Sequence, residues 1–353
     1  MPDIPTTMKA LVRTKPGEPN VLQLQSDYPT PKPKDKYILI RVRCCGLNRA
    51  ELRSRAGDPP AHGEFTSDEL FSETPPKILG EECVGVVAHN GGVSSFSEGD
   101  TVATYFCGIG KAFDGAYAEY TLAPAEYVYK LDTKLPFEVL GAVPATFMTA
   151  WGSLNRALHI NRGDTVFVHG GTSSVGTAAI ILAKREGCHV AATTRQQQKV
   201  EQLKKSGADV VLIDGGEKSL SEQLKQHDTF KNGAQHVLEL VGPDKIAEAF
   251  TVTAPYGTVC VTGVLTKVWA LDKFAPADGI ESGKKITTYQ SPRDRDHAGI
   301  GKALRGIIKA VEDGEIKVDD FIGKQLAAFD GIVEGHRLME ENKVKGKVVV
   351  TIP

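Results

Sequence analysis

Residues 165–187, TVFVHGGTSSVGTAAIILAKREG, combine a short apolar run with closely spaced glycines and hydroxyl side chains. The apolar run predicts a buried parallel strand. The glycines allow a sharp turn and close approach to a ligand, and the hydroxyl residues stand where a helix begins and offers N–H groups to an anion. The segment therefore predicts a site for a dinucleotide pyrophosphate, formed by Gly170, Gly171, Thr172, Ser173, Ser174 and Val175.

This loop departs from the usual dinucleotide pattern, G-x-G-x-x-G. In the frame 171–176 the middle glycine is replaced by Ser173. An ordinary strand, turn and helix without a ligand is the alternative interpretation of the segment alone.

The next predicted strand, HVAATT (189–194), indicates which cofactor binds. An NAD-binding unit places an acidic residue about 20 residues after the glycines, where it holds the ribose 2′-hydroxyl. No acid lies between Gly187 and Lys199, and the strand leads instead into Thr194 and Arg195. A carboxylate would repel a 2′-phosphate that cationic donors attract. We therefore predict NADPH, with the alternative that Arg195 and Lys199 belong to a solvated helix start.

Composition narrows the class of protein. The chain has 353 residues, 41% hydrophobic and 24% charged, which is enough for two globular domains. Its net charge of −2 argues against a nucleic-acid partner. No apolar run reaches membrane-spanning length and the first residues have no leader pattern, so we expect no membrane partner and a cytoplasmic location. The six cysteines form no C-x-x-C pair and are expected to be reduced, mainly buried thiols.

The two parts of the chain differ in their predicted secondary structure. The first part predicts a mostly β, barrel-like region with strands at 8–12, 37–47, 83–90 and 100–106. Between the second and third of these strands we expect a polar loop, at 58–76, that covers another part of the protein. From about residue 137, helix and strand alternate, which predicts a parallel sheet with helices on both faces. The expected elements are a helix at 142–157, strands at 209–214, 236–242, 257–263 and 284–290, an amphipathic helix ending at Gly314, and a strand at 347–352.

Motifs spread over nearly the whole chain resemble the medium-chain dehydrogenase/reductase superfamily, and within it the zinc-less NADPH:quinone oxidoreductase-like branch. They are CGLNRAEL (45–52), PPKILGEECVGVV (75–87), GDTVFVHGGTSSVG (163–176), ATTRQQQKVEQLKKSGAD (192–209), LELVG (238–242), GTVCVTG (257–263) and ENKVKGKVVV (341–350).

The resemblance implies an α/β fold in which a doubly wound parallel Rossmann domain is inserted into a mostly β, GroES-like catalytic domain. The catalytic domain would comprise residues 1–136 plus 290–353, the Rossmann domain residues 137–289, and the active site the cleft between them. An edge strand, ITTYQ (286–290), could pair across a two-fold axis, as in such relatives, so we expect a homodimer.

The resemblance also bears on metal content. Zinc-dependent relatives place Cys, His and Cys where this chain has Asn48, Glu81 and Ala145. An amide and an alanine cannot supply the ligands of catalytic zinc, and the four clustered cysteines of a structural zinc lobe are missing too. We therefore expect no metal.

Without a metal, the site suits substrates that are already electrophilic, because they accept hydride onto carbon while charge delocalises onto oxygen. Asn48 is the leading catalytic candidate, donating to the substrate oxygen or contacting the nicotinamide ribose; alternatively, it fixes its own turn. Arg53, where relatives often carry Tyr, is a cleft cation or an ordinary surface residue. Tyr105 and Tyr117 are candidate proton donors, or buried core tyrosines.

Further cofactor contacts are expected at the cleft helix, at the carboxyl ends of the later strands and near the final strand. Lys345 and Lys347 could equally be plain surface lysines. His169, just before Gly170, is interpreted as a packed strand-end residue and not as a base. The additional cofactor candidates are Thr149, Val241, Thr262, Gly263, Val264, Asn342 and Lys347.

The sequence thus predicts a zinc-independent, NADPH-dependent reductase that transfers hydride to a quinone or an α,β-unsaturated carbonyl. Two alternatives stay open: a pathway-specific carbonyl or enoyl reductase of secondary metabolism, and a non-catalytic NADPH-binding protein.

Overall fold

The computed structural model describes residues 4–57, 77–271, 273–275, 280–281 and 283–353. It forms two compact units. The first comprises residues 1–145 and 294–353, and the second comprises residues 146–293. Among the described residues, no helix is both long and apolar enough to cross a membrane. The predicted loop at 58–76 lies outside the described residues.

As expected, the secondary structure changes along the chain from mostly strands to alternating helices and strands. The strands are β1 (Thr7–Arg13), β2 (Leu22–Pro29), β3 (Tyr37–Leu47), β4 (Glu82–His89), β5 (Thr101–Tyr105), β6 (Tyr120–Pro124), β7 (Val128–Lys130), β8 (Thr165–His169), β9 (His189–Thr194), β10 (Val210–Ile213), β11 (Ala234–Glu239), β12 (Thr253–Val261), β13 (Lys285–Thr288), β14 (Ile322–Ala327) and β15 (Lys347–Thr351). The α-helices are α1 (Arg49–Ala56), α2 (Phe137–Leu140), α3 (Pro144–Trp151), α4 (Ser174–Glu186), α5 (Val200–Lys205), α6 (Leu220–Leu224), α7 (Ile246–Val252), α8 (His297–Glu312) and α9 (Ala328–Glu340).

The first unit is built around a seven-stranded sheet. Its strand order is β14-β15-β3-β4-β5-β7, with β6 paired to β3, and β1 and β2 form a separate two-stranded sheet. Every pairing in these sheets is antiparallel except that of β14 with β15. Alternate residues of β3, including Ile38, Ile40 and Val42, enter one core with residues of α9. This arrangement confirms the expected mostly β, GroES-like region.

The second unit is a fully parallel sheet with strand order β10-β9-β8-β11-β12-β13. Its central strand β8 is buried along its whole length, as an apolar strand covered on both faces must be. Phe167, Val237 and Val259 pack in one cluster with residues of α6 and α7. Helix α4 contacts β8 and β9. The doubly wound Rossmann sheet predicted from the alternating pattern is confirmed.

The predicted helix at 142–157 is not a single regular helix. Helix α3 passes into a π-helical turn at Gly152–Ala157. A Cβ atom added to Gly152 would lie 1.9 Å from the Tyr289 ring, so only glycine lets this ring pack against the turn. Because the turn faces β13, the irregularity serves close packing within the parallel-sheet unit.

Candidate active site and nucleotide-binding loop

The loop between β8 and α4 has the geometry of an anion-binding turn. Gly170 has φ +84°, a conformation that favours glycine. A Cβ atom on Gly176 would lie 2.4 Å from the Gly170 carbonyl oxygen, so this position is also closed to larger residues. These constraints bring the first turn of α4 against the loop and leave its N–H groups directed to the carboxyl end of β8.

Ser173 replaces the middle glycine of the usual pattern because it caps α4. Its Oγ accepts a hydrogen bond from the Gly176 N–H at 3.0 Å and donates to the Gly170 carbonyl at 2.9 Å. The side chain therefore ties the turn to the helix start, a role that glycine could not fill. Thr172, Ser174 and Val175 are partly exposed beside it.

The residues predicted to bind the 2′-phosphate, at and after the end of β9, differ in their burial and hydrogen bonding. Thr194 is buried, and its hydroxyl is engaged with the backbone N–H and carbonyl of Gln196. Arg195 is exposed and Lys199 partly exposed. Thr194 thus shapes the turn, while Arg195 is the cation presented to solvent at this strand end.

A hydroxyl network joins two of the predicted cofactor residues. Ser153 donates to the Thr149 carbonyl at 2.8 Å, and its Oγ lies 2.9 Å from Thr262 Oγ1. Sequence reasoning missed Ser153, because a serine inside an apolar helix gives no signal until the π-helical turn directs it to the end of β12. The structure therefore brings Thr149 and Thr262 together through a residue not singled out.

Glu239 organises the loop after β11. One carboxylate oxygen accepts the N–H groups of Val241 at 2.6 Å and Gly242 at 3.2 Å. The Glu239 carbonyl accepts the N–H of Gly263 at 3.2 Å. Val264 is next in the chain, and its carbonyl accepts a hydrogen bond from the Lys267 N–H, which closes a turn. The predicted contacts Val241 and Gly263 thus share Glu239 as one hydrogen-bonded anchor, whereas Val264 belongs to the turn that Lys267 closes.

His169 is fully buried at the end of β8, in agreement with its interpretation as a packed residue. Its Nδ1 lies 2.6 Å from Glu239 Oε2 and its Nε2 lies 3.5 Å from Asp214 Oδ2. Burial opposes protonation, but the two carboxylates outweigh it and raise the pKa of His169 to about 9.

In the first unit, Asn48 belongs to a buried polar cluster with Glu82 and Lys347. Lys347 Nζ donates to Asn48 Oδ1 at 2.7 Å and to Glu82 Oε1 at 2.5 Å, and Asn48 Nδ2 donates to Glu82 Oε1 at 2.9 Å. Glu82 Oε2 accepts the Ala145 N–H at 2.9 Å. Both ends of the Asn48 amide are therefore fixed by neighbouring side chains.

Lys347 is not a surface lysine. Its side chain is 1% exposed, and Glu82 is 0% exposed, so the surface alternative was wrong for Lys347. The cation neutralises a carboxylate that could not otherwise remain buried as an anion. Lys345, two residues earlier, is exposed as that alternative expected.

The three positions that correspond to zinc ligands in zinc-dependent relatives do not form a zinc donor set here. Ala145 has no donor atom, and the Asn48 amide is held by Lys347 and Glu82. Glu81 lies 3.4 Å from the Lys111 ammonium group. Catalytic zinc needs three nitrogen, sulfur or carboxylate ligands, and one carboxylate paired with a lysine does not supply them.

A second buried network holds the backbone of the same region. Glu51 accepts hydrogen bonds from the Asn48 N–H, the Glu81 N–H and the Tyr117 hydroxyl, each at 2.7 Å. Tyr117 Oη also lies 2.9 Å from His336 Nε2. Tyr117 is thus a structural tyrosine whose hydroxyl is committed between two partners.

The remaining candidates have different surroundings. Tyr105 is buried, and its ring centroid lies 5.7 Å from that of Phe106 and 5.9 Å from that of Tyr129. Arg53 is partly exposed on α1. Asn342 is exposed and accepts a hydrogen bond from Arg49 at 2.7 Å. The structure does not gather these residues with Asn48 and Lys347 into one hydrogen-bonded cluster.

Comparison with known proteins agrees with this architecture. Residues 34–133 match the alcohol dehydrogenase GroES-like domain, and residues 174–295 match the domain described as zinc-binding dehydrogenase. The quinone oxidoreductase of Pongo abelii is 32% identical over 248 residues, which are 70% of each chain. The 2-methylene-furan-3-one reductase of Solanum lycopersicum is 29% identical over 98% of this chain and 80% of that protein.

A solved mycobacterial structure, complexed with NADPH, is 26% identical, with a TM-score of 0.79 over 98% of this chain and all of the other. Fold and relatives together define a nicotinamide-dependent oxidoreductase with a GroES-like and a Rossmann domain. The chain belongs to the medium-chain dehydrogenase/reductase superfamily and is quinone oxidoreductase-like.

The Lys347→Met variant removes the cation from the buried cluster and leaves Glu82 as an uncompensated carboxylate. We expect a loss of about 3–5 kcal/mol in the free energy of unfolding, measured by urea titration. The matched control Lys345→Met, on an exposed residue two positions away, should change it by less than about 0.5 kcal/mol. The double variant Glu82→Gln/Lys347→Met should recover part of the loss, since no charge is left buried. Equal stability of the two lysine variants would contradict the assignment.

Glu51 predicts a particular pH dependence of stability. Burial, followed by repulsion from Glu81, raises its pKa from 4.5 to about 7. Between these values the native state holds a proton that the unfolded state releases, so stability falls as pH rises through the window, by roughly 3 kcal/mol in total. Glu51→Gln should abolish this fall.

The measurement is the free energy of unfolding of wild type and Glu51→Gln from pH 4.5 to 8. Burial lowers the pKa of His336 to about 3, with the Arg55 charge adding to the effect, and gives an opposite slope. His336 is present in both proteins, so its contribution cancels in the difference. The surface control Glu201→Gln should keep the wild-type profile, and a pH-independent difference for Glu51→Gln would refute the raised pKa.

Proposed function

We propose that this protein is a zinc-independent, NADPH-dependent reductase that transfers hydride to a quinone or an α,β-unsaturated carbonyl. The observation that carries the proposal is which residues occupy the positions of the zinc ligands in zinc-dependent relatives. Ala145 offers no donor atom, and the Asn48 amide is occupied by Lys347 and Glu82. Without a Lewis acid on the substrate oxygen, the reaction favours acceptors that are electrophilic on their own.

The preference for NADPH rests on the end of β9. Arg195 is an exposed cation beside the buried turn residue Thr194, and no acid stands between Gly187 and Lys199. The loop from Gly170 to Gly176 would hold the pyrophosphate through its backbone N–H groups and the start of α4. A mycobacterial structural relative binds NADPH, which supports the same choice.

When bound, NADPH would supply the hydride for reduction of the acceptor. The chain itself contributes binding and orientation. Ser153 holds Thr149 and Thr262 in a hydrogen-bonded row that we assign to the nicotinamide half of the cofactor. Lys347 and Glu82 fix the Asn48 amide, whose role we assign to positioning near the reacting groups.

The proton that completes reduction comes from solvent in this scheme. The Tyr117 hydroxyl is committed to Glu51 and His336, and Tyr105 is buried among aromatic rings. A reduced quinone or an enolate carries its charge on oxygen and is protonated by water without a dedicated acid. Arg53, on α1, is assigned to attracting acidic or phenolic acceptors.

The function is tested by steady-state oxidation of NADPH with matched acceptors: a quinone panel, an α,β-unsaturated ketone and its saturated analogue. Turnover with quinones or the unsaturated ketone, and none with the saturated ketone, is expected. Product analysis should show reduction at C=C and an intact C=O group. Tight NADPH binding without turnover of any acceptor would favour the non-catalytic alternative. Reduction of the saturated ketone would instead show a carbonyl reductase.

Arg195→Ala tests the cofactor assignment separately. Loss of a charge-assisted contact to the 2′-phosphate should raise the KM for NADPH about tenfold or more. The KM for NADH, which lacks that phosphate, should stay within about twofold. The control Lys218→Ala removes an exposed cation from the same unit and should change neither value. A parallel change in both KM values for Arg195→Ala would exclude a 2′-phosphate role. Binding measured by fluorescence titration gives a readout that does not depend on turnover.

A further inference from the structure

Three side chains in the parallel-sheet unit converge on one point that the proposed reaction does not use. His169 ends β8, Asp214 follows β10, and Glu248 lies on α7. One ligand atom from each lies within 4.8 Å of the other two. Three chain segments far apart in sequence therefore direct an imidazole and two carboxylates to a common centre.

The orientation of His169 is fixed from behind. Glu239 is fully buried, and its Oε1 accepts the N–H groups of Val241 and Gly242. Its Oε2 lies 2.6 Å from His169 Nδ1. A carboxylate held by two backbone donors can only accept, so Nδ1 carries the hydrogen. The other ring nitrogen, Nε2, consequently points to the centre between Asp214 and Glu248.

His169 Nε2 is buried and has no hydrogen-bond partner within the described part of the chain. It lies 3.5 Å from Asp214 Oδ2. That separation is longer than a charge-assisted hydrogen bond, which is about 2.7–2.9 Å. It matches the distance between two ligands on a tetrahedral cation with bonds of about 2.0–2.1 Å, which is about 3.4 Å.

We infer that His169, Asp214 and Glu248 form a binding site for a divalent transition-metal cation of the Zn²⁺ type, separate from the residues at the zinc-ligand positions of zinc-dependent dehydrogenases. One imidazole and two carboxylates make a three-ligand set that Zn²⁺ accepts, with the fourth position left to solvent. The Glu239–His169 pair reproduces the carboxylate–histidine arrangement that orients metal ligands.

The surrounding charges set how the cation competes for the site. Lys245 Nζ lies 3.6 Å from Glu248 Oε2 and is half-exposed, so it can withdraw when a cation arrives. Arg195 and Lys245 also act electrostatically on Asp214, so positive charge already surrounds the carboxylates that would hold a cation.

The test uses the full chain after dialysis against a chelator. Calorimetric titration with Zn²⁺ should show one ion per chain, and Co²⁺ should give the visible absorption of a tetrahedral nitrogen and oxygen site. Glu248→Gln alters a partly exposed residue and should weaken Zn²⁺ binding at least tenfold. Asp214→Asn should do the same. The control Glu201→Gln, on a carboxylate 83% exposed, should bind as wild type.

Two results would overturn the inference. One is wild-type affinity in both Glu248→Gln and Asp214→Asn, and the other is a thiolate charge-transfer band with Co²⁺, which would place the ion on cysteine. None of these readouts depends on hydride transfer, so they stand apart from the test of the reductase.

Discussion

The buried ion pair between Lys347 and Glu82 is the constraint on which the first unit depends. An isolated carboxylate in this position would be too costly, so β15 must lie where its first residue reaches β4. The same ammonium group fixes Asn48 at the end of β3. A single cation thus joins three strands of the sheet and sets the direction of the amide beside them.

The parallel-sheet unit relies on a different principle. Its candidate cofactor residues stand at the carboxyl ends of strands, where side chains and backbone groups from β8, β11 and β12 converge. Glu239 connects them, because it anchors His169, the loop after β11 and the turn after β12. Here hydrogen bonds to backbone position the site, whereas in the first unit charge compensation does so.

The sequence predicted what depends on short-range pattern. The boundaries of β3 and β9 agree with the predicted ones, because the apolar residues of each segment show the pattern of a buried strand. The glycine loop was recognised because Gly170 and Gly176 are needed for backbone reasons that any such turn shares. The parallel sheet with helices on both faces was expected from the alternation of helix and strand, whereas the order of its strands was not predicted.

What sequence could not show was pairing between distant residues. Lys347 and Glu82 are 265 positions apart, and nothing near either indicates that one neutralises the other. Ser153 acquires its role only through a π-helical turn that propensity does not predict. The commitment of Tyr117 to Glu51 and His336 likewise depends on tertiary contacts. The roles of Lys347, Ser153 and Tyr117 depend on their burial and on their hydrogen-bond partners, which residue type alone does not reveal.

The position of Lys347 in the chain has a consequence for the order of assembly. During synthesis, Glu82 and Asn48 emerge first, then the whole of residues 146–293, and only then the cation that neutralises Glu82. The parallel-sheet unit is continuous and can complete its own core without waiting. The environment of Asn48 is therefore among the last parts of the molecule to form, and an interrupted chain would hold a finished parallel-sheet unit while the first unit still lacked β15.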